Sequence, residues 1–575
     1  MIRAILSALR RGALAAAWAF GVAHTSGQSF PDTPPPPRHE VRAVWLTTLG
    51  GLDWPKTPAR TAESMQAQQA ALCRTLDRLQ AAGINTVLFQ TRIRATTAYP
   101  SGIEPWDPVF SGTPGRPPGY DPLAFAVEEC HHRGMEIQAW VVAFPIGSTA
   151  AMRRLGKQAL TIRRPELCRR AGDQWYMDPG APGTADYLAA VCKEIVARYD
   201  VDGIHLDYIR YPEKSIPWND NATYRKYGKG KSRQAWRKEN VTRCVRRIHE
   251  AVKSVRPWVK LSCSPVGKYA DLPRQSSMGW NARDAVCQEA QAWLEEGIMD
   301  ELFPMMYFDG IHFYPFAADW TEHAAGRIVA PGLGIYFLSP EMKDWDLDAV
   351  RRQLYFLRTI GAGGAAFYRE HFLSDNVKGL CDFLEQDFYR QPALQPPMVW
   401  ADSLPPSAPH ACLSRRGYAL ELRWTAATDN TKGAPVRYRI YRCGADTLSL
   451  QDARLLATVK DTTEYTIIPL LPKLLYSRYA VTAVDAFGNE SPVSQTVALD
   501  IPETPTYPVT HGKLPVPDYG TDTELLLVAD AKGRAVQALV RRDTINVSHL
   551  KSGLYELQAM DRRGKKHYLL HFWKE

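Results

Sequence analysis

The sequence predicts an α/β fold: a TIM (β/α)8 barrel, then a β-sandwich and a small C-terminal all-β domain. Three observations carry this expectation. Eight short apolar runs, separated by helical patterns and closed by a last one, fill the chain up to Gln395. The residues that close those runs are polar or aromatic, as they are where barrel strands end at an active-site mouth. Past Gln395 the helical pattern stops, and short alternating strands take over between proline-rich stretches. A chain of 575 residues also exceeds what one core can organise.

In chain order, Arg3, Arg10 and Arg11 flank a small apolar run from Gly12 to Val22, and no acid occurs before Asp32. Residues 1–27 are therefore expected to be a secretory signal peptide, cut near Gly27–Gln28. The tether TPPPPR follows, and the barrel is assigned to 38–395. Its strands are expected at Val41–Thr48, Ile84–Arg92, Glu136–Phe144, Gly203–Tyr208, Val259–Pro265, Glu301–Phe308, Val329–Phe337 and Gly364–Arg369. Helices are expected at Ser64–Ala82, Pro122–Arg133, Asp186–Arg198, Arg237–Val255, Asn281–Glu296, Asp346–Ile360 and Asn376–Tyr389. A proline-rich linker, 396–409, leads to a sandwich at 410–501, where ALELRWTA, VRYRIYRC, LLATV and EYTII alternate. A second linker, 502–517, precedes a last β unit at 518–575, with hairpin turns at Lys532–Gly533 and Arg563–Gly564.

The stretch YDVDGIHLDYIRYP, 199–212, organises the barrel. Side chains alternate along a strand, so Gly203, His205 and Asp207 share one face, and Ile204 and Leu206 the other. A carboxylate closing a buried strand, beside Tyr208, Arg210 and Tyr211, is how a barrel presents a catalytic acid. The plainer reading is an aspartate that caps the next segment. Around the same mouth the strand ends supply Trp45, Gln90, Arg92, Trp140, Tyr307 and Tyr336. With His205, Tyr208 and Arg210 they make a polar, ring-lined cleft suited to sugar faces and hydroxyls; taken singly, each ring could equally be core packing.

Composition excludes other classes. The surplus of +9 is modest and dispersed, and does not argue for nucleic acid. The basic segment 225–247 reads as a solvated helix with its approach loop. No strand is followed by a GxGxxG or P-loop turn, so no nucleotide site is expected. Ten cysteines are scattered without a CxxC pair; buried thiols are expected, and neither a metal nor another cofactor. Past the signal peptide no segment is apolar enough to span a membrane.

Residues 40–400 resemble the glycosyl-hydrolase-like family 10 barrels of bacterial envelopes. EVRAVWLTT, AAGINTVLFQTRIRATTAYPSGIEPW, PGYDPLAFAVEECHHRGMEIQAWVV, WYMDPG, YDVDGIHLDYIRYP and PMMYF carry the resemblance, in order. It implies a glycoside hydrolase, with members acting on peptidoglycan strands stripped of their peptides. Two departures stand out: Tyr208 where many relatives have a second aspartate, and Thr96 where many have another. Glycoside hydrolysis usually uses two carboxyl groups, one protonated and one ionised. Asp207 is the first. For the second, Asp309 on the inward register of the sixth strand leads and Glu370 after the eighth follows, while Glu104 and Asp178 in long loops could also reach. An N-acetyl group on the substrate could instead replace the protein nucleophile. A carbohydrate-binding barrel without hydrolysis is the alternative.

The region 410–501 looks like a fibronectin type III module. The last unit resembles the C-terminal sorting domains of the type IX secretion pathway through Leu550, Gly553 and Tyr555. Those resemblances imply secretion to the medium or the outer-membrane surface, with the periplasm as the alternative, a glycan as substrate and the secretion machinery as partner.

Overall fold

The computed structural model describes residues 35–273, 275, 277–416, 419–443, 453–468, 477–499, 509, 511–517, 523–530, 534–540, 542–562 and 564–574. The expected signal peptide, much of the second linker and the Lys532–Gly533 turn lie outside them.

Eight parallel strand positions form one curled sheet. Val41–Leu46 pairs with Thr86–Arg92 on one side and Gly364–Phe367 on the other. From Thr86–Arg92 the order continues through Glu136–Val142, Gly203–Asp207, Lys260–Cys263 and Glu301–Leu302. The sixth position comes in two pieces, Glu301–Leu302 and Met305–Met306, and the seventh likewise, Ile328–Val329 and Gly332–Leu333. Pro304 and Pro331 sit in those gaps, and proline has no N–H to give to a ladder. Their carbonyls still accept: Pro304 from Gly332 N at 2.8 Å and Pro331 from Ala366 N at 3.0 Å. Parallel pairing therefore passes both gaps and returns to the eighth and first strands, which fits an α/β barrel.

Alternation divides each strand between two cores. Ala43, Trp45, Leu88, Trp140, Phe303 and Ala366 pack together inside the sheet. Val44, Leu46, Val87, Phe89, Ile204 and Leu206 pack outward against the helices. Polar side chains start the main helices where the sequence supplies them: Thr61 before Ala62–Ala81, Asp121 before Pro122–His132, Ser232 before Arg233–Lys253 and Asp346 before Leu347–Thr359. The helix expected over 281–296 is two short ones, Ala282–Ala285 and Ala290–Glu295. After the third strand comes an insert that the sequence reading does not contain. It is an antiparallel sheet of Pro145–Ser148, Cys168–Ala171 and Gln174–Met177, whose four-residue strands are too short to show a period.

Beyond the barrel every sheet is antiparallel. Ala411–Arg416, Ala419–Trp424 and Glu464–Ile467 form one, and Arg437–Cys443, Arg454–Lys460 and Arg478–Val484 another. Leu420, Leu422, Trp424, Tyr438 and Tyr479 fill the core they share. The last residues make a four-stranded sheet from Thr523–Asp530, Ala535–Val540, Gly553–Asp561 and Lys566–Lys574. Leu554 and Trp573 of that sheet pack on the preceding core, and Glu556 pairs with Arg415 at 2.6 Å. The barrel is tied to the region behind it at the start of the fourth strand: Arg437 bonds Asp202 at 2.8 Å and Lys460 bonds Asp200 at 2.7 Å. That is the end of the strand opposite Asp207. All ten cysteines are free thiols, and no helix among the described residues is long and apolar enough to cross a membrane.

Candidate active site

Asp207 is the last residue of the fourth strand, and its inward register is set by Val142↔Asp207 pairing with the third. Its side chain is buried and bonded on three sides. Oδ1 accepts from Tyr208 N at 2.7 Å and Ser264 Oγ at 3.2 Å, and Oδ2 accepts from Trp140 Nε1 at 3.2 Å. Burial pushes the carboxyl above its ordinary value, against the pull of Arg210 and the three donors. A carboxyl whose neutral form is favoured by burial, with donors fixing its plane, can give a proton to an oxygen brought to Oδ2.

The chain turns sharply after Asp207. Tyr208 adopts φ 50°, a left-handed conformation unusual for a ring-bearing residue, and is left 43% exposed. The Arg210 guanidinium lies 4.7 Å from the Tyr208 ring centre and 5.6 Å from that of Trp280. Tyr307 stacks on Tyr368 at 5.2 Å and meets Tyr336 edge-on at 5.8 Å. Burial raises the Tyr307, Tyr368 and Tyr208 hydroxyls, and the charge of Asp207 raises them further. They therefore stay protonated donors around the carboxyl.

Beneath this layer a one-way chain of hydrogen bonds fills the barrel. Trp45 Nε1 donates to His205 Nε2 at 3.1 Å, which assigns the proton to Nδ1 for donation to Ser262 Oγ at 2.9 Å. Ser262 donates to Gln138 Oε1 at 2.5 Å, and Gln138 Nε2 donates to Glu301 Oε2 at 2.6 Å. Burial pushes His205 down to about 3 and Glu301 up to about 7, so the histidine is neutral. The Trp45 ring has room because residue 332 is glycine; a Cβ there would lie 2.7 Å from Trp45 Cη2.

With this geometry in view, similarity to known proteins becomes informative. The family model for glycosyl hydrolase-like 10 matches residues 40–333. Glycosyl hydrolase YngK of Bacillus subtilis is 30% identical over 481 residues, 79% of this chain and 92% of its own. The chain belongs to the glycosyl hydrolase-like 10 family. Glycosyl hydrolase DigH of Escherichia coli K12 is 32% identical over 302 residues, 49% of this chain and 69% of its own. A solved α-L-fucosidase from Paenibacillus thiaminolyticus is 14% identical with a TM-score of 0.41, covering 61% of this chain and 49% of that one, a likeness too slight to bear on the site.

In this glycosyl hydrolase-like 10 barrel, the structure gathers Asp207, Trp140, Tyr208, Arg210, Tyr307 and Tyr336, with Trp45 and His205 as the layer beneath. Gln90 stands at the rim, where its Oε1 accepts from Thr48 N at 3.0 Å and Leu49 N at 2.7 Å. Arg92 and Glu104 hold each other instead: Nε to Oε2 at 2.8 Å and Nη2 to Oε1 at 2.7 Å. A shift of register between Gln90 and Arg92 moves Arg92 off the inward face. There it also bonds Ala143 O at 2.9 Å, and Tyr187 donates to Glu104 at 3.1 Å. Asp178 is buried and accepts from Arg169, Thr223 and Gly180. Asp309 caps a short helix through Gly310 N at 2.7 Å, and its charge acts on Tyr314 of the next helix. Glu370 is buried, bonded to Ser374, and pushed up to about 7 by burial, with Asp53, Lys56 and Asp375 as its charged neighbours. None of these four carboxylates bonds to a group that touches Asp207.

Three parts of the site lie outside the sequence reading. Tyr368 faces inward two residues after Ala366, and strand alternation alone points to it. The Asp53–Arg369 pair braces the rim, with Asp53 accepting from Thr47 N at 2.7 Å; a loop contact 316 residues apart leaves no local signal. Trp280 comes from the long loop after the fifth strand, where no period exists.

Proposed function

We propose that this protein is a secreted glycoside hydrolase that cleaves an amino-sugar glycan of the bacterial envelope, with peptide-free peptidoglycan strands as the leading substrate. The observation that carries the reading is Asp207: a buried carboxyl with raised proton affinity, at the C-terminal end of a barrel strand, ringed by protonated tyrosines. Asp207 acts as general acid, giving its proton to the leaving glycosidic oxygen. Among the described residues no second carboxylate bonds to Trp140, Ser264 or Tyr208. The electrophilic carbon is met by the substrate's own N-acetyl carbonyl, or by a second carboxylate across the cleft, which at a separation of about 5–9.5 Å need share none of those donors. Tyr307, Tyr336 and Tyr368 offer ring faces and hydroxyls to the sugar. Tyr208, where many relatives have a second aspartate, supports the other reading, a barrel that binds glycan without cutting it. Incubating the full chain with peptide-free strands and chito-oligosaccharides, and counting new reducing ends, separates the two. Hydrolysis is expected on at least one amino-sugar polymer; binding without new ends on any of them would leave the second reading.

The fibronectin type III-like region is proposed as a spacer and the last β unit as an export signal. In cells, a chain cut after Pro517 should stay in the periplasm while the full chain reaches the surface or medium. Equal export of both would overturn that assignment.

A further inference from the structure

Arg210 stands out among the buried cations of this molecule. It is 9% exposed, and its Nε is enclosed without any acceptor. No acceptor among the described residues reaches its terminal nitrogens either. Arg42, Arg243, Arg351, Arg439 and Arg327 also enclose an unbonded nitrogen, but the first four each have an acceptor at another nitrogen or an acid nearby, in Glu40, Pro179 O, Asp348 and Glu490, and Arg327 is only half-buried. Leaving a buried guanidinium without acceptors is costly, and a site that tolerates it is ready for an acceptor from outside. The rings that flank Arg210 belong to Tyr208 and Trp280, which are 43% and 38% exposed. Stacking on ring faces leaves the donor edge of the guanidinium, in its own plane, for a ligand.

A second arginine stands in a neighbouring loop. Arg94, in the loop after the second strand, is exposed and has no ion-pair partner among the described residues. Its charge acts on Tyr208 and Tyr176, the two hydroxyls that also feel Arg210. Around Tyr176 the two arginines face one acid, Glu213, while around Tyr208 Glu213 and Asp207 balance them; the balance turns positive when Asp207 holds its proton. Arg210 is the largest charge acting on Asp207.

We infer that Arg210 and Arg94 form a subsite for a carboxylate carried by the sugar substrate, next to the bond that Asp207 acts on. The planar guanidinium edge matches a carboxylate with two parallel hydrogen bonds, a geometry that a neutral hydroxyl cannot supply. The flanking Tyr208 and Trp280 take the sugar ring that bears it. The inference rests on the glycan reading above and adds which residues would hold a carboxylate of that glycan. The carboxylate can belong to an ether substituent, as in muramic acid, or to a uronic acid.

The test uses the full chain carrying Asp207→Asn, so that binding is read without turnover. Titration calorimetry measures peptide-free peptidoglycan strands, hyaluronan oligosaccharides, and each of these after its carboxylates are converted to primary amides. The subsite predicts that one acidic glycan binds about tenfold to a hundredfold more tightly than its own amide. Which glycan shows the gap tells the ether carboxylate from the uronate. Adding Arg210→Gln with Arg94→Gln should close the gap by weakening only the acidic form, and Arg94→Gln alone, at an exposed position that cannot disturb the core, should narrow it. Equal binding of acid and amide, or a gap that survives both substitutions, overturns the inference. Binding preference is independent of cleavage, so a protein that prefers the acid yet releases no reducing ends would overturn the hydrolase reading and leave the subsite standing.

Discussion

Glu104→Gln separates a bracing residue from a substrate ligand. In the structure Glu104 and Arg92 share two bonds of 2.8 Å and 2.7 Å, and both are almost wholly enclosed. The Gln variant keeps the shape but leaves the Arg92 cation buried without a counter-charge. Removing one partner of a buried pair costs about 3–5 kcal/mol. For a domain of this size about 2 °C of melting temperature follows each kcal/mol, so a drop of about 6–10 °C is expected. Differential scanning calorimetry of the full chain gives the melting temperature, and reducing-end kinetics give KM. The account expects the melting temperature to fall and KM to stay close to the parent value. Adding Arg92→Met should recover part of the loss, because the uncompensated charge is then gone. A variant that melts normally but has a much raised KM would show that Glu104 meets substrate, and would refute the reasoning.

Three further outcomes follow from the same geometry. Glu301 is raised to about 7 by burial, so its contribution to stability is complete below the ordinary carboxylate range and is lost as pH rises through about 7; urea titrations from pH 5 to 8 should show up to about 3 kcal/mol of decline, and Glu301→Gln should flatten it. Trp140→Phe removes a donor that favours ionised Asp207, so its proton affinity should rise and the alkaline limb of the rate profile should move to higher pH; an unmoved limb would detach that limb from Asp207. Residues 38–400 alone should fold and retain activity, since two ties to the next region, Arg437–Asp202 and Lys460–Asp200, lie at the far end of the fourth strand from Asp207, and a third, Arg38–Glu490, precedes the first strand; a folded but inactive fragment would place the sandwich in the site.

Local pattern made the barrel legible. Short apolar runs found the strand positions, and the helices Pro122–His132 and Leu347–Thr359 lie within a residue of their expected bounds at each end. The inward register of Asp207 was equally plain, because alternation from Gly203 and His205 carries it to the same face. What stayed hidden depends on chain geometry between elements. The bulge that turns Arg92 away from the mouth is a shift of one residue, and it decides whether the guanidinium meets glycan or Glu104. Asp309 lies two residues beyond Tyr307, but the chain has already left the strand and begun a short helix, so alternation no longer describes it. The breaks at Pro304 and Pro331 are visible as prolines, yet only the carbonyl bonds across them show that pairing continues.

The central claim is that Asp207 gives the proton that breaks the glycosidic bond. Asp207→Asn keeps one acceptor oxygen for Tyr208 N and Ser264 Oγ, gives up the bond from Trp140 Nε1, and removes the acid. Measured as reducing ends released from peptide-free peptidoglycan strands, kcat is predicted to fall by about 10²–10⁴-fold with the melting temperature and far-ultraviolet dichroism of the parent. Turnover near that of the parent, from an equally well-folded Asp207→Asn protein, would contradict it.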